Sequence, residues 1–153
     1  MAKIIFDIDF IFRQLPLPES NDYTINQVRE IEDNNRTAYN GENEIAVSVL
    51  YLNGSNEQDE GNRVTLGTAY RNTSVVIYKG AIDEAASRPG APPARDIESA
   101  TLQHEFGHLF GLVDIGSPAQ SDHEDENSRA HCNVDGCLMI ASVEFASGML
   151  GMS

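Results

Sequence analysis

No stretch of the chain approaches the roughly 18–20 consecutive apolar residues that a membrane-spanning helix needs, so no span is expected. Basic residues are scarce: 10 Lys and Arg stand against 24 Asp and Glu, for a net charge of −14 and a pI near 4.4. Phosphate backbones are bound through a basic face, so nucleic acid is not expected as a partner. Docking on anionic lipid is disfavoured for the same reason. Cysteine is limited to Cys132 and Cys137, too few for a four-cysteine structural zinc site within the chain. At that spacing the pair can form a local disulfide or remain two thiols. Internal repeats are lacking, and the one compositional bias is the acidic patch at residues 122–126. That patch lacks the spacing and the glycine of an EF-hand loop, so it reads as a solvated loop in preference to a calcium site.

What is present fits one domain. A length of 153 residues supports a real core and is too short for two ordinary domains. Residues 2–12 are apolar but interrupted by Asp7 and Asp9 at period two, which reads as a first strand and not as a signal segment. Leu15-Pro16-Leu17-Pro18 ends it. Asn21, Asp22 or Thr24 can cap a helix running to about Tyr39, with Ile25, Val28 and Ile31 on its apolar stripe. Residues 45–52 read as a buried strand, 53–62 as a polar loop, and 65–70 and 74–79 as two short strands. After the Gly90–Pro93 loop, Asp96 is placed to cap a helix over residues 97–112. The order implies an α/β (α+β) layered single domain over residues 1–153, with a mixed sheet.

Within the last helix stands His104-Glu105-Phe106-Gly107-His108. Histidines four apart lie on one helix face, where both imidazoles can reach one zinc ion. The glutamate between them can then act as general base on an attacking water. This is the zinc-protease signature. Leu102, Phe106, Leu109, Phe110 and Val113 surround the histidines with apolar neighbours. An unpaired Glu105 carboxylate among them would cost several kcal/mol without a compensating cation, on the order of the penalty for any buried charge. Gly111 lets the chain turn sharply at the helix end, as a third ligand from the following segment requires. All four histidines fall between residues 104 and 131.

His104-Glu105-x-x-His108-x-x-Gly111 resembles the opening of the metzincin zinc-binding consensus. The usual third-ligand position is Asp114 here, similar to the snapalysin-type departure. A second resemblance lies further on: His131-Cys132-x4-Cys137-x-Met139 is similar to the His-Cys-x4-Cys-x-Met run of the archaemetzincins. Read that way, residues 114–130 are an inserted loop and His131 is the third ligand, favoured over Asp114 and over His123. The second cysteine pair of that family is missing, so the resemblance implies that Cys132 and Cys137 bond to each other. It also implies a zincin-like fold: residues 1–103 form the sheet and helix part, with the zinc-bearing helix beginning near 96. Residues 131–153 then form a methionine-containing turn at Met139 and a short C-terminal helix.

The resemblance implies a zinc-dependent endopeptidase that hydrolyses peptide bonds, with Glu105 as base and His104, His108 and His131 as metal ligands. A monomer is expected, secreted or at the cell surface, acting on a protein or peptide. An extended substrate would add to a strand edge drawn from residues 65–79, and Tyr70 is an oxyanion candidate if its strand borders the cleft. Two alternatives stay open: another zinc amide hydrolase (an aminopeptidase or amidase), and a binding domain that keeps the metal without catalysis.

Overall fold

The computed structural model describes residues 8–16, 20, 22–61, 63–113, 123–145 and 148–151. Residues 142–145 and 148–151 are described by their backbone alone. The chain is a small mixed α/β domain, with three helices among the described residues. The first element is β1 (Asp22–Tyr23), which leads through Thr24 into α1 (Ile25–Asn35). Thr24 and Gln27 form a reciprocal capping box, with the Gln27 amide donating to Thr24 Oγ1 at 3.0 Å and the Thr24 amide donating to Gln27 Oε1 at 2.8 Å. The helix stops at Asn35, short of the expected Tyr39, because Arg36 turns to extended backbone. Its guanidinium reaches Glu32, Ser74 and the Ala46 carbonyl. The buried Glu32 carboxylate also accepts from Arg71 at 2.8 Å and from Ser74 at 2.6 Å, so its desolvation is offset and α1 is tied to the sheet.

The main sheet has three strands: β2 (Ser48–Leu52), β4 (Gly67–Arg71) and β5 (Ser74–Tyr78), in the order β2-β5-β4. β5 is central, parallel to β2 and antiparallel to β4. Its five residues are all buried, which is what a β-branched and aromatic run covered on both faces becomes. β2, by contrast, is an edge strand, half-buried at Val49 and Leu50 and exposed at Tyr51. Ile45, expected in that strand, lies outside it and is 78% exposed. The expected loop at 53–62 contains β3 (Ser55–Asn56), which pairs with β1 in parallel.

Two helices pack together and against this sheet. α2 (Lys79–Ala86) was not anticipated; it buries Ala81, Ile82 and Ala85 and carries an ion pair from Lys79 to Asp83. α3 (Ala94–Leu109) begins one turn earlier than expected, with Pro93 at its N-cap and Asp96 in its first turn rather than capping it. Pro93 lacks a cap hydrogen bond, but proline at a helix start costs no donor that was in use.

Two expectations fail at the ends. Of the expected first strand, residues 1–7 lie outside the described residues. Residues 8–16 form no strand, and Ile8, Phe10, Ile11 and Phe12 are each at least 67% exposed. The expected short C-terminal helix is replaced by an antiparallel pair, β6 (Ser142–Phe145) and β7 (Gly148–Gly151). The physical reason is in the composition: Val143 and Phe145 favour extended backbone, and Gly148 and Gly151 are poor helix formers. Among the described residues, no helix is long and apolar enough to cross a membrane.

Candidate metal centre

α3 carries His104 and His108 on one face, one turn apart, and both are buried. Their Nε2 atoms stand 3.0 Å from each other. His131 comes from the segment after the helix and brings a third buried ring, with centroids 5.3 Å from His104 and 5.1 Å from His108. One ligating atom from each of the three lies within 4.8 Å of the others, and among the described residues this is the one group so arranged. His123 is not part of it. Asp114, the alternative third ligand, lies outside the described residues together with the rest of 114–122.

Local backbone explains how the chain returns. Gly111 adopts φ +69°, the left-handed conformation that closes a helix when the residue has no Cβ. Its amide donates to His108 O at 3.1 Å and the Leu112 amide donates to Gly107 O at 3.0 Å, completing a Schellman motif. On the return, His131 is clasped between two short pairings: the Asp125 amide donates to His131 O at 2.8 Å, and the Cys132 amide donates to Met139 O at 2.7 Å. Ala130, just before it, holds φ +65°, a conformation that costs an alanine about 1 kcal/mol. Met139 is buried beneath the helix, against Gly107. A Cβ added to Gly107 would overlap the methionine sulfur and lie 3.1 Å from its Cε, so only glycine admits the methionine there.

Three backbone or hydroxyl groups orient the rings. His104 Nδ1 is 2.8 Å from Leu138 O. A carbonyl cannot donate, so Nδ1 carries the proton and the Nε2 lone pair faces the centre. His131 Nδ1 lies 3.2 Å from Arg129 O and 3.1 Å from Ser128 Oγ, which fixes the same tautomer. Burial pushes the titration of His104 and His108 down to about 4. For His104 the Leu138 bond opposes that shift; for His108 the neighbouring His104 and His131 add to it. Both are therefore neutral near pH 7, the form that ligates metal.

Glu105 is fully buried on the same helix. Its Oε2 accepts from the Ala69 amide of β4 at 2.7 Å, while Oε1 has no protein partner. Burial raises its pKa to about 8, against the opposing Ala69 hydrogen bond. His131 Nε2 and His108 Nδ1 are likewise buried and unpartnered. Buried polar atoms are ordinarily satisfied, so three grouped imidazoles, with His131 Nε2 left without a protein partner, have the character of a cation site. The three histidines can hold a metal ion. Imidazole donors suit zinc, copper, iron and nickel.

Other expected features fall elsewhere. Tyr70 has Glu32, Arg71 and Arg36 as its charged neighbours, so it belongs to the network that ties α1 to the sheet. The described part of the acidic patch is spent on turns: Asp125 accepts from the Asn127 amide and Glu124 from the Ala130 amide. Cys132 and Cys137 are free thiols here, correcting the expected bridge. Burial is the first cause that holds the Cys132 thiol above its ordinary range, and the neighbouring Cys137 thiol adds to it. Sequence reasoning missed the Leu138 and Arg129 carbonyls, the Ala69 amide and Ser128. The first three act through backbone, which leaves no residue-type signal. No family model, curated protein or solved structure matches this chain.

Proposed function

We propose that this chain is a zinc-dependent peptidase of metzincin-like design, cleaving peptide bonds in protein or peptide substrates. The observation that carries the reading is the grouping of three buried imidazoles within 4.8 Å of one another, with the buried Glu105, its Oε1 unpartnered, next to the first of them along the helix. His104, His108 and His131 would hold the ion through ring nitrogens, a three-ligand set that leaves a position open for chemistry. When bound, zinc supplies Lewis-acid polarisation of a scissile carbonyl and acidifies water in its reach.

The chain's own residues do the rest. Glu105 Oε2 is held by Ala69, so Oε1 is the oxygen that takes a proton from the attacking water and returns it to the leaving amine. The Leu138 and Arg129 carbonyls keep two of the rings in the ligating tautomer. Met139 supports the floor beneath Gly107, as the methionine turn does in the fold that the motif resembles. β4 is an edge strand above Glu105, and an extended substrate can add to it by backbone pairing. The proposal includes action outside the cell, as is usual for the peptidases that the motif resembles. A peptide-library assay tests it: hydrolysis with zinc, lost on chelation and in Glu105→Gln, supports the reading. Turnover undiminished in Glu105→Gln contradicts it.

A further inference from the structure

We infer that strand β4 sets the position of the Glu105 carboxylate, making Gly67 a positioning residue for the proposed reaction; the inference rests on the peptidase reading of Glu105. Two contacts from one strand act on that side chain. The Ala69 amide fixes Oε2 at 2.7 Å. Two residues earlier, Gly67 is buried directly over the helix. A Cβ there would stand 3.0 Å from Glu105 Cγ, 3.1 Å from Glu105 Oε1 and 2.8 Å from Thr101 Cγ2.

Thr101 and Glu105 are four apart on α3 and both fully buried, so the helix face beneath β4 has little room to withdraw. Thr101 is further held by its hydroxyl, which donates to Ile97 O at 2.9 Å. The missing side chain at Gly67 is therefore what lets Glu105 lie along the strand with one oxygen tied and the other free. The ladder between β4 and β5 also loses register between Ala69 and Arg71, at the residue whose amide is given to Glu105. The strand proposed to receive substrate is thus also the strand that holds the base.

The test uses the full chain with Gly67→Ala, alone and combined with Thr101→Ser or Glu105→Ala. Thr101→Ser removes the 2.8 Å contact while keeping the hydroxyl. With zinc added, Gly67→Ala should keep wild-type metal content and KM within about threefold while kcat falls about tenfold or more. Adding Thr101→Ser should recover part of the lost Tm without recovering kcat. In metal-free protein, Gly67→Ala should lower Tm by roughly 4–10 °C, and Glu105→Ala should remove about half of that loss. The inference is overturned by near-wild-type kcat in Gly67→Ala, by kcat rising in step with Tm in the Thr101 double variant, or by an equal Tm loss with and without Glu105. Coupled Tm losses in a wild-type protein that hydrolyses no peptide would overturn the peptidase reading and leave the contact standing.

Discussion

Replacing Glu105 with glutamine should stabilise the metal-free protein, by an amount that depends on pH in a calculable way. Burial raises the Glu105 pKa from 4.5 to about 8. The folded state therefore keeps its proton over a range in which the unfolded chain has lost it. The sign follows: the contribution of a group with a raised folded pKa is fully present below the unfolded value and is lost as pH rises through the folded one. At pH 4.5 the two proteins should differ little. At pH 7 the wild type should have lost about 3 kcal/mol relative to the glutamine variant, at about 1.4 kcal/mol per pH unit. For a domain of this size that is a Tm difference of roughly 6–12 °C. Glutamine keeps the shape and can still accept the Ala69 amide through its carbonyl oxygen, so little else changes. Thermal melts of both proteins at pH 4.5, 5.5, 7 and 8, with chelator, read the effect directly. Saturating zinc should shrink the gap, because a cation favours the carboxylate. A gap that is constant with pH would refute the burial and charge reasoning.

Other consequences are more local. Gly107→Ala should cost about 3 kcal/mol or more, since the new methyl collides with Met139, and Met139→Ala should recover part of that loss in denaturant melts. Ala130→Gly should relieve the left-handed backbone and raise stability by about 1 kcal/mol, with zinc affinity little changed; a loss would mean that Ala130 is not strained. Oxidised glutathione should join Cys132 to Cys137, seen by mass spectrometry as two cysteines protected from alkylation; continued labelling of both under oxidant would contradict their adjacency. His104 and His108 titrate at about 4, below their unfolded value near 6.5. Their contribution to metal-free stability should therefore be complete above that value and be lost as pH falls toward 4, as acid titration by circular dichroism would show.

The parts of the fold that were legible in the sequence are those where a side-chain pattern has one physical outcome. The spacing of His104 and His108 forces one helix face, Gly111 sits where a helix needs left-handed backbone, and the β-branched and aromatic run at residues 75–78 forms the strand its composition favours, though its central place in the sheet was not legible. His131 was ranked above His123 on a motif, and the chain does bring it to the other two. Legibility ended where tertiary context decides. Residues 8–12 alternate like a strand yet lie exposed without a partner. Lys79 reads as the end of a strand and residues 80–86 carry no clear pattern, but Ala81, Ile82 and Ala85 become helical because they can bury against the core. The end of α1 is set by Arg36, whose partners Ser74, Thr73 and Ala46 are distant in sequence. The glutamate clamp was invisible for a related reason: a backbone amide and a missing Cβ leave no chemical signature in a string of letters.

Zinc K-edge absorption spectroscopy of the zinc-loaded protein tests the central claim most directly. The account predicts one tightly held zinc per chain, with imidazole nitrogen at about 2.0–2.1 Å and no sulfur shell. His131→Ala should lose the ion or replace one imidazole with an oxygen donor, which removes that ring's outer-shell scattering. Absence of bound zinc, sulfur at about 2.3 Å from Cys132 or Cys137, or an unchanged spectrum in His131→Ala would contradict it.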